Sequence, residues 1–430
     1  RRRRDAQRDP EAAMVVALPN TMHTLPRLGL VRAVCSASTP HTDDGLFSVA
    51  PMMDYTDRFM RFLLRRLTSR GTLYTEMVTA NTLVHCEESE LERFLGREQT
   101  DGPTVFQLGG CDPEQLELAA AKVAEWGYDA INLNCGCPSD RVAGQGAFGA
   151  SLMRHPDLVA DCCASIASGG GLPVSVKCRI GITEDKREAA TLDEEPVYAE
   201  LAQFVQTVHE RGGVDHFVVH ARRAVLGGLS PDANRKVPPL RPQLVHRLAA
   251  DFPELSFSVN GGLEHMGDLH EHLPPDSRLA GVMVGRAVMS RPWHWATVDA
   301  ALYGEASNPA RSRRELLLEY AAFAEQQEAR LPQRLRRVLL SPCLNLFAGE
   351  PMGKKFRAQI DQRMKDGDDL SFSEVLLGSA EHSLLAETLD APPGMLWNQN
   401  GKCYEPGPYF AASAAVAAAA PEPASAAFAA

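Results

Sequence analysis

From Phe47 onward, short runs rich in Val, Ile, Leu and Phe alternate with longer stretches whose apolar residues recur at helical spacing. Eight such runs stand out: FSVA at 47, LYTEM at 73, TVFQL at 104, AINLN at 130, PVSVK at 173, HFVVH at 216, SFSVN at 256 and GVMVG at 281. The stretches between them predict helices over Asp57 to Thr68, Pro113 to Trp126, Pro156 to Ser168, Val197 to Arg211, Arg241 to Ala250 and His265 to Leu273, with a less regular link from 77 to 103. Continuous apolar strands that alternate with helices make a parallel sheet. Eight units in about 250 residues fit an α/β fold closed as a (β/α)8 TIM barrel better than an open doubly wound sheet. No G-x-G-x-x-G follows the first run, which removes the dinucleotide fold further.

The residues at the ends of the runs are polar almost throughout: Pro51 and Met52, Glu76, Gln107, Asn132 and Asn134, Lys177, His220, Asn260, then Gly285 and Arg286. In a barrel those ends share one face, so eight distant positions become one pocket. Asn260-Gly261-Gly262 and Gly285-Arg286 follow the seventh and eighth runs, where exposed backbone N–H groups and one cation suit a phosphate. The fourth run continues as DAINLNCGCPSDRV at 129–142. Asn132 and Asn134, two apart on a strand, point the same way, and Gly136 and Pro138 bend the chain around Cys137 at the strand's end.

Outside this repeat the composition changes. From Met14 to Thr42 there is no Asp or Glu, with two arginines and many Ser, Thr, Ala and Leu, so 1–42 is expected to be a transit peptide or a disordered tail. The barrel is placed at 43–305. Residues 311–365 carry 12 Lys and Arg against 6 Asp and Glu in a chain whose net charge is -11. A basic helical domain at 306–366 is therefore expected beside an acidic barrel, and its two clusters, Arg334, Arg336 and Arg337, then Lys354, Lys355 and Arg357, are open to two readings, a surface for a phosphate backbone or an ordinary solvated helix face. Residues 367–430 read as a low-complexity or poorly ordered extension, and the acidic insertion at 183–196 as a surface loop. Ten cysteines at irregular spacing argue for reduced thiols; no metal site and no membrane segment is expected.

With these residues in view, the chain resembles the tRNA-dihydrouridine synthases, most closely the DusA subfamily, over about Phe47 to Ile360. FSVAPMMDYTDR at 47–58, LYTEMV at 73–78, QLGG at 107–110, INLNCGCPSDRV at 131–142, VKCRIGI at 176–182, HARRAVLGGLSPDANRKVPPL at 220–240, NGG at 260–262, GVMVGR at 281–286 and LNLFAGEPMGKKFR at 344–357 carry the likeness. The resemblance implies an FMN-dependent enzyme that reduces the 5,6 double bond of a D-loop uridine, with NADPH recharging the flavin. It implies that Pro51, Met52 and Met53 border the flavin, that Gln107, Lys177 and His220 hydrogen-bond its ring or ribityl groups, and that Asn260, Gly261, Gly262, Gly285 and Arg286 cradle its phosphate. Cys137 is then the acid, Asn134 and Arg141 flank the uracil, Arg179 and Arg222 lie nearby, and Arg337, Lys354 and Lys355 meet the tRNA.

The chemistry suits these residue types. When hydride reaches one ring carbon the adjacent carbon gains carbanion character, and a thiol of ordinary acidity, about 8.5, is still protonated at neutral pH and can donate. A cationic Lys177 would stabilise an anionic reduced flavin. A stacked base must swing out to reach the pocket. Cys135, a second thiol in the motif, is expected to be as open to oxidation as Cys137. Two other readings remain at the level of sequence: a flavin barrel acting on a free pyrimidine, like dihydroorotate dehydrogenases, or a non-catalytic tRNA-binding chaperone. The N-terminus points to a plastid or a mitochondrion, and a monomer without a protein partner is expected.

Overall fold

The computed structural model describes residues 45–98, 102–138, 148–190, 193–330, 335–366, 370–397 and 403–404. Eight parallel strands close a barrel: β1 (Phe47–Val49), β2 (Thr72–Thr79), β3 (Thr104–Gly109), β4 (Ala130–Cys135), β5 (Val174–Arg179), then, beyond a short β6 (Ile182–Thr183), β7 (His216–His220), and beyond a short β8 (Ala224–Val225), β9 (Ser256–Asn260) and β10 (Gly281–Val284). β10 pairs with β1 to shut the ring, Val282 lying opposite Phe47. The eight apolar runs all become barrel strands. The two short strands, which have no apolar run of their own, pair in parallel as a separate ribbon at the ends of β5 and β7.

Helices return the chain between strands: α1 (Arg58–Arg65), α2 (Ala80–His85), α3 (Leu91–Leu95), α4 (Pro113–Ala124), α5 (Pro156–Gly170), α6 (Lys186–Ala190), α7 (Glu194–Gly212), α8 (Pro242–Asp251), α9 (Met266–His272), α10 (Arg286–Ser290) and α11 (Val298–Tyr303). Local chemistry sets their ends. Asp57 caps α1 by accepting from Met60 N at 2.8 Å, Asp112 and Pro113 open α4, and Gly171 and Gly213 close α5 and α7 with positive φ. The insertion at 183–196 is not a plain loop: α6 and the start of α7 lie in it, Ala189 is buried, and Glu188 pairs with Arg223 at 2.8 Å.

The main core lies between the strands and the helix ring, whereas the apolar plug inside the barrel is thin: Ala50, Tyr74, Val105, Val218 and Met283. Below it is a polar floor with Ser48, Ser175, His216 and Ser258 around a cavity of about 370 Å³. Above it is the mouth.

A second layer of helices follows: α12 (Arg313–Arg330), α13 (Arg336–Leu340), α14 (Gly353–Arg363), α15 (Phe372–Ser383) and α16 (Ala386–Asp390). It packs on the barrel through aromatic rings, Phe62 of α1 stacking on Phe323 of α12 at 3.7 Å and 7°. The helical unit therefore runs past 366, correcting the poorly ordered extension expected there. Ser371 and Glu374 form a capping box that starts α15, and Phe372, Val375 and Leu376 are buried. Residues 1–44 and the Ala-rich stretch from 405 lie outside the described residues. No helix among the described residues is long and apolar enough to cross a membrane.

Candidate active site

The ends of β4, β5, β7 and β9 bring Asn134, Cys137, Lys177, His220 and Asn260 to one mouth. Lys177 Nζ donates to Asn260 Oδ1 at 2.9 Å, and Asn260 Nδ2 donates to Met283 O at 2.7 Å. Asn260 thus orients Lys177 with one end of its side chain and is itself anchored to β10 through the other. Burial, then the Arg179 charge, pulls the Lys177 ammonium down to about 8, partly offset by the nearby thiols of Cys178 and Cys137. His220 is held well below the usual imidazole range by burial and by Arg179, Lys177, Arg222 and Arg286, so its ring is neutral at pH 7.

The bend after β4 is pinned from three sides. Gly136 N and Cys137 N both donate to Asn134 Oδ1 at 3.0 Å, Arg179 Nε donates to Gly136 O at 3.1 Å, and Ala150 N donates to Cys137 O at 2.9 Å. Cys137 is half-buried and its thiol unbonded to another cysteine. Cys135 differs from expectation: it is fully buried, and burial first, with Cys163, Cys178 and Cys162 around it, raises its thiol well above the ordinary range. Buried and protonated, it does not share the exposure of Cys137. Arg179 also differs. It is 3 % exposed and donates its second bond to Asn234 O at 3.2 Å, so it props the loop from beneath instead of facing RNA. Arg141 lies outside the described residues.

Gly261 and Gly262 have φ of +109° and +79°, the left-handed region that favours glycine. A Cβ on Gly261 would sit 2.6 Å from His220 Cδ2. Gly261→Ala is therefore expected to cost about 1–3 kcal/mol, seen as a lower denaturant midpoint at unchanged slope, because strain and the His220 clash add. Gly285 lies near Met52, whose Sδ is 3.6 Å from where a Cβ would be, and Arg286 donates to Arg235 O at 3.3 Å and approaches Asp232 at 4.0 Å. Arg222 Nη1 donates to Pro238 O.

On the β1 side, Met52 N–H is held by Thr56 Oγ1 at 3.0 Å, and Asp54, with φ +64°, donates its N–H to Glu76 at 2.5 Å. A bulge in β2 between Tyr74 and Met77, with Thr75 Oγ1 accepting from Gln107 N at 3.0 Å, turns Glu76 to that task. Pro51 and Met52 are half-buried and Met53 is 55 % exposed. A second cavity, of about 510 Å³, lies between α1, the end of β2, α3 and Leu335. Neither cavity includes Cys137, so the site is assigned from converging side chains and not from cavity size.

In the helical unit Arg337, Lys354 and Lys355 are exposed. Lys354 and Lys355 occupy the first turn of α14, where the helix dipole disfavours cations and a bound phosphate relieves it. Arg336 is not free: it pairs with Glu328 at 2.5 Å and donates to Leu370 O at 2.7 Å. Arg334 lies outside the described residues.

Comparison with known proteins adds a chemical context. The sequence model of the dihydrouridine synthase (Dus) family matches residues 48–380. A tRNA-dihydrouridine(20/20a) synthase of Synechocystis is 41% identical over 351 residues, 81% of this chain and 96% of that protein. The one of Vibrio vulnificus is 41% identical over 73% of this chain and 90% of its own, and that of Pseudomonas syringae 46% identical over 65% and 79%. A solved 2-naphthoyl-CoA reductase complex aligns at a TM-score of 0.42 and 11% identity over 60% of this chain and 50% of that one, too loosely to bear on the site.

Proposed function

The chain belongs to the dihydrouridine synthase family, and from that membership we propose that it reduces uridine in tRNA to 5,6-dihydrouridine, with FMN in the barrel mouth and NADPH as reductant. The observation that carries this reading is Cys137 held at the mouth beside Lys177, with a glycine turn for a phosphate across the ring.

The residues present suit FMN. Gly261 and Gly262 open the backbone to a phosphate that Arg286 and Gly285 would share, neutral His220 offers a hydrogen bond to ring or ribityl atoms, and Pro51, Met52 and Met53 would border the ring, whereas Gln107, 1 % exposed, is bonded at both ends of its amide to Asn132 and Asn134. Lys177, aimed by Asn260, would meet negative charge on the reduced ring. When bound, FMN supplies the hydride that one carbon of the uracil 5,6 bond receives. Cys137 holds the balancing proton on Sγ and gives it to the neighbouring carbon. Asn134 would keep the base in place, with Arg222 beside it. The test is direct: full-length protein, FMN, NADPH and unmodified tRNA should yield dihydrouridine in a nuclease digest read by mass spectrometry. Flavin-loaded protein that leaves the tRNA unchanged would end this reading.

Arg337, Lys354 and Lys355 would grip the tRNA backbone. Lys354→Ala with Lys355→Ala is expected to weaken tRNA binding about tenfold near 0.15 M salt and to lower the slope of log K against log salt by about 2, as two phosphate contacts are lost. Filter binding across a salt series measures both, and kcat should stay near the wild-type value. The working unit is a monomer in this reading. The acid-free segment at 14–42 is proposed to direct the chain to a plastid, or else a mitochondrion. Residues 1–42 fused to a fluorescent reporter that stays in the cytosol would contradict it.

A further inference from the structure

A continuous string of side chains crosses the barrel from its floor to the bend at Cys137, and its direction is dictated at the upper end. Gly136 N–H and Cys137 N–H can only donate, so both fix Asn134 with Oδ1 toward the bend, at 3.0 Å each. The amide of Asn134 must then turn its Nδ2 inward, where it donates to Gln107 Oε1 at 3.0 Å. That sets Gln107 in turn, whose Nε2 donates to Asn132 Oδ1 at 2.8 Å. Asn132 passes the direction on, its Nδ2 donating to Ser175 Oγ at 2.9 Å, and Ser175 in turn bonds to the Tyr74 hydroxyl. Gln107 and Asn132 are 1 % and 0 % exposed, so no solvent competes for the bond between them.

Resting on the uridine-reductase reading, we propose that Asn132, backed by Ser175 and Tyr74, is a positioning residue for the proton donor: it locks the amide of Gln107, which locks Asn134, which holds the backbone that carries Cys137. Asn132 touches neither the thiol nor the mouth and acts only through its neighbours. The string also limits what Asn134 can offer a base. Both lone pairs of its Oδ1 are taken by the bend and one Nδ2 hydrogen by Gln107, which leaves a single donor. A lone donor accepts a uracil carbonyl as partner and leaves an exocyclic amine, as in cytosine, facing another donor.

Two variants separate this role from simple packing. Asn132→Leu keeps the branched shape, with somewhat larger methyl ends, and removes both polar ends, freeing Gln107 to turn. Asn132→Asp, which burial holds as the neutral acid, keeps an acceptor opposite Gln107 Nε2 and a donor toward Ser175. Hydrogen exchange, followed by mass spectrometry in the full-length protein without tRNA, should speed up about tenfold or more at the Gly136 and Cys137 amides in Asn132→Leu and stay near wild type in Asn132→Asp. In single-turnover work, transfer from pre-reduced enzyme to tRNA should slow about tenfold in Asn132→Leu, while reduction by NADPH keeps its rate. Unchanged exchange at 136–137, an Asn132→Asp variant as fast as Asn132→Leu, or faster exchange spread over all eight strands would each overturn the proposal. A wild-type protein that does not reduce tRNA would end the functional reading, yet the exchange result would still decide the role of Asn132.

Discussion

Cys137→Ala should lower dihydrouridine formation by about 10²–10⁴-fold, the usual weight of a positioned general acid, or about 3–5 kcal/mol of barrier. The loss should fall on kcat, because the bend keeps its backbone bonds to Asn134, Arg179 and Ala150 whatever side chain stands at 137. Tight tRNA binding and reduction of the bound flavin by NADPH should survive, since neither needs the thiol. Cys137→Ser, with a hydroxyl that is a far weaker acid, should recover little. Stopped-flow measurement of the two half-reactions with mass-spectrometric dihydrouridine counting checks all of this, and a wild-type rate in Cys137→Ala would remove the thiol from the mechanism.

The largest effect on stability is expected at Glu350. Its carboxylate, 3 % exposed, pairs with Arg313, which is 0 % exposed. Arg313 Nη2 lies 2.9 Å from Glu350 Oε2 and also donates to Thr388 O at 3.0 Å, while its guanidinium faces Phe347 at 4.8 Å and Trp293 at 5.4 Å. Trp293 precedes the helical unit and Thr388 belongs to its last helix, so one cation joins both ends of that unit to the barrel. Glu350→Ala leaves the guanidinium buried without its counter-ion, a loss of about 3–5 kcal/mol. A urea titration should show the drop, with tRNA binding failing before the flavin is lost. Replacing both partners, Arg313→Met with Glu350→Leu, should regain much of it, because the penalty lies in the orphaned charge and not in the absence of the pair.

The barrel was readable because burial on both faces of a parallel strand forces continuous apolar runs, and polar strand ends signal a mouth. Cys137, Lys177 and His220 could be picked out for that reason. What pattern could not assign was division of labour among polar side chains. Asn260 reads as part of a phosphate cradle until its two ends are seen bonded to Lys177 and Met283, and Arg179 reads as an RNA contact until its burial under Gly136 is seen. Asn132 looks like one more polar strand position, although the two-residue spacing with Asn134 was the available hint. α15 is harder to read because its apolar positions are few and short in span, yet Ser371 and Glu374 three positions on are a legible start signal.

Closure of the ring by its first and last strands has a consequence for synthesis. Ser48 Oγ donates to Val282 O across 234 positions of chain, and the Phe47 N–H is met by Tyr303 OH across 256. At roughly 5–20 residues per second, β1 leaves the ribosome about 12 s or more before its partner exists. For that time its apolar residues and one open sheet edge are exposed, and the stacking surface of Phe62 waits longer still for Phe323. The vulnerable stage of this protein's life is thus the nascent chain, whose first half keeps an unpaired edge until the second half arrives.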